Sequence, residues 1–193
     1  MEWTYYLIIY LAAVNILGFI SAAVNSSLKK SGKKLRLDIL TAILAFLGGS
    51  LGAIISILIT DPKPEKENMM SRVFIGCIFI IQVLLLLFFI LNQGKEINFN
   101  LFEFFFNVPL LIYLGIINIV TFIFFAADKR KAEKNRPRIK IITLLGLCFI
   151  GGSVGGLLGM YLLRHKTQKN YFTVGIPLII ITHLVLIFFI INL

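Results

Sequence analysis

The sequence predicts an all-α polytopic integral membrane protein, with six hydrophobic helical segments arranged as two homologous three-segment repeats. Three observations predict it. Hydrophobic residues make up 59% of the chain and charged residues only 15%. Mean hydropathy is +0.94, well above what a water-facing surface allows. The apolar residues gather into six charge-free stretches of about twenty residues or more, the length that crosses a hydrocarbon layer of roughly 30 Å. This composition excludes a disordered tail, a disulfide scaffold and an ordinary soluble domain.

The stretches run Trp3 to Val24, Ile39 to Thr60, Val73 to Asn92, Phe104 to Ala127, Ile141 to Leu163 and Tyr171 to Leu193. In hydrocarbon every backbone polar group needs a partner within its own segment, so each stretch reads as helix despite its Ile, Val and Phe. Trp3, Tyr5 and Tyr6 suit an aromatic belt at the start of the first. That stretch opens with Glu2 and lacks the basic leader and short apolar core of a cleaved signal, so it is expected to stay as a helix. Pro109 and Pro177 fall in the first turns of the fourth and sixth segments, where a missing N–H costs least. Cys77 and Cys148 lie in apolar stretches without metal or redox spacing and read as packing residues.

Sliding the chain on itself by 103 residues aligns two windows. Asn15 to Asn25 (NILGFISAAVN) meets Asn118 to Asp128 (NIVTFIFFAAD) with five identities in eleven positions. Phe46 to Gly52 (FLGGSLG) meets Phe149 to Gly155 (FIGGSVG) with five in seven. The shared offset points to two copies of one unit, with boundaries at residues 1–97 and 98–193. The copies are unequal: Asn25 stands where the second has Asp128, and DPKPEK from Asp61 where the second has RHKTQK from Arg164. Chemistry is therefore sought first in the second half.

That half resembles a family of small bacterial membrane proteins, domain-of-unknown-function family 1294. The resemblance covers Tyr113 to about Pro177. It runs through Asn118, Thr121, Phe122, DKRKA from Asp128, Arg138, Ile139, GGSVGGLLGM from Gly151, RHKT from Arg164, and Phe172. The acid the family carries shortly after the Arg-Ile pair is Ile141 here. The first half resembles a diverged copy, with Asn15, Phe19, Arg36 and Gly48 to Ser50 retained. The resemblance implies a multi-pass protein of the bacterial cell membrane and brings no established activity.

Lys and Arg near segment ends tend to stay cytoplasmic. The five loops in order hold five, three, one, seven and three of them. Six crossings would divide the 19 basic residues into nine and ten, which gives no orientation. If the second and fifth segments instead bend back at Gly48-Gly49-Ser50 and Gly151-Gly152-Ser153, the division is eighteen against one. Both topologies remain open from sequence. In a continuous helix Gly48, Gly52 and Ser56, and likewise Gly151, Gly155 and Gly159, form small-residue packing stripes. The alternative is a helix break whose free N–H groups bind an anion.

All nine Asp and Glu lie at segment ends or in loops, which disfavours proton- or cation-coupled transport. His183 is the only ionisable group deep in a segment. It reads either as a functional group or as a neutral histidine bonded to a neighbouring helix. The candidate ligand-binding set is Asp128, Lys129, Arg130, Arg138, Arg164, His165, Lys166 and Thr167, a basic collar suited to anionic lipid head groups. Ordinary positive-inside anchoring explains basic loops as well. No nucleophile elbow, zinc-protease motif, P-loop or ligand cluster occurs, so neither an enzyme nor a cofactor or metal is expected. Nucleic acid is a poor partner, because the loops lack interleaved aromatics. A small channel or carrier between the repeats, and a structural subunit able to self-associate, are the competing classes.

Overall fold

The computed structural model describes residues 2–31, 38–93, 95–100 and 107–193, without the side chains of residues 2–4 and 30. Lys33, Lys34, Arg36 and the expected start of the fourth segment, Phe104 to Phe106, lie outside the described residues, as does the side chain of Trp3. Everything regular among the described residues is helical. Six helical segments are long and apolar enough to cross a membrane. Contacts divide the chain into a unit from Met1 to Val83 and a unit from Leu84 to Leu193.

In the first unit α1 runs Glu2–Lys30. It outlasts its apolar stretch because Lys29 suits the negative end of the helix dipole. The second segment is not one rod. It consists of α2 (Asp38–Leu44), a wide turn (Ala45–Gly49) and α3 (Ser50–Thr60). Gly48 breaks it with φ 114° and ψ −3°, a left-handed conformation that glycine adopts without a Cβ penalty. Then follows α4 (Met69–Leu91), which belongs to this unit as far as Val83.

The ends of this segment return to the same level of α1. Asn25 Nδ2 donates to Asp38 Oδ1 at 2.7 Å, and Thr60 Oγ1 donates to Ser26 Oγ at 3.0 Å. Its middle meets α1 about ten residues earlier, where Asn15 Nδ2 donates to Gly48 O at 2.9 Å. At 1.5 Å rise per residue the tip therefore lies roughly 15 Å from the mouth, about half a hydrocarbon layer. The segment is a helical hairpin that enters and leaves at one end of the unit.

The second unit builds the same object from α5 (Val108–Glu133), α6 (Ile141–Leu147), a wide turn (Cys148–Gly152) and α7 (Ser153–Leu162). Gly151 has φ 115° and ψ −7°. Asn107 caps α5, its side chain accepting from Leu110 N, and Pro109 sits in the first turn as expected. The sixth segment is split into α8 (Asn170–Thr173) and α9 (Gly175–Ile191). Pro177 explains the split, since it has no N–H to give to the carbonyl of Thr173 four residues back.

A bent helix inside an apolar layer leaves carbonyls without their usual partners, and each unit supplies donors for them. Tyr10 Oη donates to Leu47 O at 2.8 Å, and Tyr113 Oη to Ile150 O at 2.5 Å. Asn15 and Asn118 donate to Gly48 O and Gly151 O, while their Oδ1 atoms accept from Gly52 N and Gly155 N. Gln82 Nε2 reaches Ala45 O and Phe46 O, and His183 Nε2 lies 2.8 Å from Phe149 O. These tyrosines and asparagines, and the carbonyls they serve, stand 103 positions apart.

Candidate functional site

Gly48 and Gly151 sit in the hairpin breaks and not on a continuous packing stripe. The stripe survives in part. A Cβ on Gly52 would collide with the backbone oxygen of Asn15, and one on Gly155 with that of Asn118. One on Gly159 would come within 2.8 Å of Phe125 Cβ. Ser56, the counterpart of Gly159, is fully buried. Of the N–H groups at the tips, those of Gly52 and Gly155 are taken by the amide oxygens of Asn15 and Asn118.

The chemically distinctive cluster lies at the mouth of the second hairpin. Asp128 lies in the second-last turn of α5 and has 0% exposure. Its Oδ1 accepts from Ile139 N at 2.8 Å. Its Oδ2 lies 2.8 Å from His165 Nε2 and 2.7 Å from Lys166 Nζ. One carboxylate thus binds the chain entering the hairpin and the chain leaving it. The exit turn makes this possible. Arg164 adopts φ 47°, and the N–H of His165 bonds Met160 O at 2.9 Å while that of Arg164 bonds Tyr161 O at 3.1 Å. This Schellman closure of α7, followed by Lys166 at φ 63°, turns both side chains back onto α5.

The floor under the cluster is apolar. Lys166 Nζ sits 4.8 Å from the centroid of the Phe172 ring, a cation–π contact. Phe172 in turn meets Phe125 edge to face at 5.5 Å, and both are fully buried. In such surroundings a carboxylate and an ammonium hold one another in place, and removal of either strands the other.

The predicted collar therefore divides. Asp128, His165 and Lys166 come together as a closed ion cluster. Lys129 pairs with Glu133 at 3.6 Å on the surface of α5. Arg138 and Arg164 are exposed, and Thr167 is half-buried. Arg130 belongs to a different feature. It stands with Lys131, Lys134 and Arg136 at the rim of a groove of about 490 Å³, whose wall is Phe122, Ile123, Ala126 and Ala127. A second Schellman closure shapes this rim: Asn135 takes φ 50°, and Arg136 N bonds Lys131 O at 2.9 Å.

Sequence reasoning missed Lys131, Lys134 and Arg136 as partners of Arg130, although the i, i+4 spacing of Arg130 and Lys134 on an apolar helix signals one face. It also missed the staples Tyr10, Tyr113 and Gln82. The repeat alignment already carried Asn15 and Asn118 as identities. Of the two readings of His183, the contacts match bonding to a neighbouring segment: it reaches Phe149 O and lies 3.2 Å from Ser153 Oγ, as Gln82 does with Phe46 O and Ser50 Oγ. Among the described residues no group of three or more His, Cys, Asp or Glu converges as a metal would require.

The family described as "Protein of unknown function (DUF1294)" matches residues 118–172. Over 75 residues the chain is 37% identical to "Uncharacterized protein YsdA" of Bacillus subtilis (strain 168), covering 39% of this chain and 84% of that protein. The chain belongs to the DUF1294 family. The matched DUF1294 stretch begins at the staple Asn118 and ends at Phe172, so it contains the whole second hairpin and its Asp128 clasp. No solved structure matches the chain.

Proposed function

We propose that this DUF1294 protein is a multi-pass protein of the bacterial cell membrane, assembled from two diverged copies of one module. In each module two helices cross the bilayer, and a re-entrant hairpin opens on the cytoplasmic face. The second copy holds an anionic phospholipid head group on that face.

Three facts support the topology. Each hairpin returns to its starting level, the freed tip carbonyls have donors, and four crossings divide the 19 basic residues eighteen to one. The duplication is supported by the tip staples that recur at an offset of 103 residues. Labelling of a single cysteine at Glu65 or Lys66 tests the topology, Cys77 and Cys148 being buried. An impermeant maleimide should leave it untouched in intact cells; labelling from outside means six crossings.

The observation that carries the lipid reading is the groove on α5. Its wall of Phe122, Ile123 and Ala126 suits an acyl chain, and its rim of Arg130, Lys134 and Arg136 suits a phosphate. Lys166 and His165 already face Asp128, which leaves the α5 rim as the binding surface. Each basic residue near the surface contributes about 1 kcal/mol, roughly fivefold in affinity. Native mass spectrometry of protein released from bacterial membranes should detect bound anionic phospholipid, lost in the Arg130→Ala/Arg136→Ala double variant and retained in Arg164→Ala. Equal lipid on all three proteins overturns the reading.

A further inference from the structure

The mouth of the first hairpin contains a small cavity, lined by Asn25, Thr41, Asp61, Ser71 and Arg72 above Ile57 and Ile75. Two buried atoms of its lining residues have no hydrogen-bond partner, Asn25 Oδ1 and Arg72 Nε. Asn25 is only 7% exposed. Its amide cannot be turned over to remove the mismatch, because Nδ2 is committed to Asp38 Oδ1 at 2.7 Å. Arg72 is also fixed, its terminal nitrogen bonding the carbonyl of Asp61 and lying 3.8 Å from the Asp61 carboxylate. A buried acceptor and a buried cationic donor thus belong to two residues that line one small space, an arrangement that native structures fill.

The chemistry selects the occupant. An anion would confront the amide oxygen of Asn25 and the carboxylate of Asp61, while Lys29, which also lines the cavity, is already paired with Asp38 at 3.3 Å. A cation would confront the Arg72 guanidinium. Water accepts from Nε–H and donates to Oδ1 at the same time. The cavity is about 20 Å³, against the roughly 10–15 Å³ that one water requires.

We propose that a water molecule is bound between Arg72 and Asn25, forming an internal hydration site that joins α4 to α1 at the exit of the first hairpin. The site is separate from the lipid groove and does not depend on it.

Hydroxyl-radical footprinting of the full chain in lipid nanodiscs tests this, because radicals made from bound water oxidise adjacent side chains that bulk solvent does not reach. Ile75, 2% exposed and on the cavity wall, should be oxidised promptly, while Ile176 and Ile179, fully buried in the second unit, stay unmodified. Asn25→Leu fills the cavity and should abolish oxidation at Ile75, whereas Asn25→Ala enlarges it and should preserve the signal. Oxidation of Ile75 no greater than that of Ile176 in the wild-type protein means a dry or ion-filled cavity and overturns the proposal, whether or not either variant folds.

Discussion

At the second hairpin mouth a fully buried carboxylate on the long helix, Asp128, takes donors from both hairpin ends. At the first mouth the long helix offers Asn25, and the acid has moved to the hairpin itself. Asp38 accepts from Asn25 and Ser71 and lies 3.3 Å from Lys29. The exit end then needs an acid of its own: Asp61, held by Arg72 and by Asn68 at 2.7 Å. One arrangement has a single acid over the edge-to-face rings of Phe125 and Phe172. The other has two acids, many hydroxyls and a cavity. The contrast teaches that closing such a helical hairpin requires charge balance at its mouth but does not dictate which helix bears the acid. Concentrating the charge on one residue leaves space for aromatic packing below it, while dispersing it opens room for water.

Removing the central group of each mouth breaks the comparison most directly. Asp128→Ala strands Lys166 in an apolar site and should destabilise the protein by about 3–5 kcal/mol. Asn25→Ala removes one hydrogen bond and should cost about 1 kcal/mol. Thermal unfolding in detergent measures both, and equal losses would mean that the mouths are energetically alike. The tips should behave as a matched pair. Gly52→Leu and Gly155→Leu each force a side chain onto the backbone of Asn15 or Asn118, costing about 1–3 kcal/mol or more, read as lower abundance in the membrane and lower melting temperature. A harmless leucine at either position would show that the tip does not need that close approach.

Exchange between the units sharpens the comparison further. His183→Gln transplants the first unit's staple into the second and should stay within about 0.5 kcal/mol of wild type. His183→Leu leaves Phe149 O unpaired and should cost about 1–3 kcal/mol in the same melts. A large loss in His183→Gln would point to a role for the imidazole beyond stapling. The smallest effect belongs to Arg164→Gly. Relief of a left-handed arginine should raise stability by about 0.5 kcal/mol, with the Asp128 cluster left intact.

The candidate site was legible in part. Asp128, His165 and Lys166 are 37 and 38 positions apart, and the flanking of the hairpin segment by charged ends put them in one set. Their mutual engagement was not legible, because a cation beside a membrane segment looks the same in sequence whether it meets a lipid phosphate or a buried aspartate. The preference for the second half also concealed the polar mouth of the first, whose lining of Asn25, Thr41, Asp61, Ser71 and Arg72 is scattered over three segments and a loop.

Composition and segment length by themselves determined that the chain is helical and apolar enough for a bilayer, since no other backbone arrangement of such segments satisfies its own polar groups in hydrocarbon. The glycines marked where a break could fall, because only glycine takes the conformation seen at Gly48 and Gly151 without strain. Whether those breaks are kinks in crossing helices or the tips of hairpins was decided by tertiary structure alone. A bend through the backbone is stable only if its freed carbonyls find donors, and those donors, Tyr10, Asn15 and Gln82 in one unit and Tyr113, Asn118 and His183 in the other, come from helices distant in the chain.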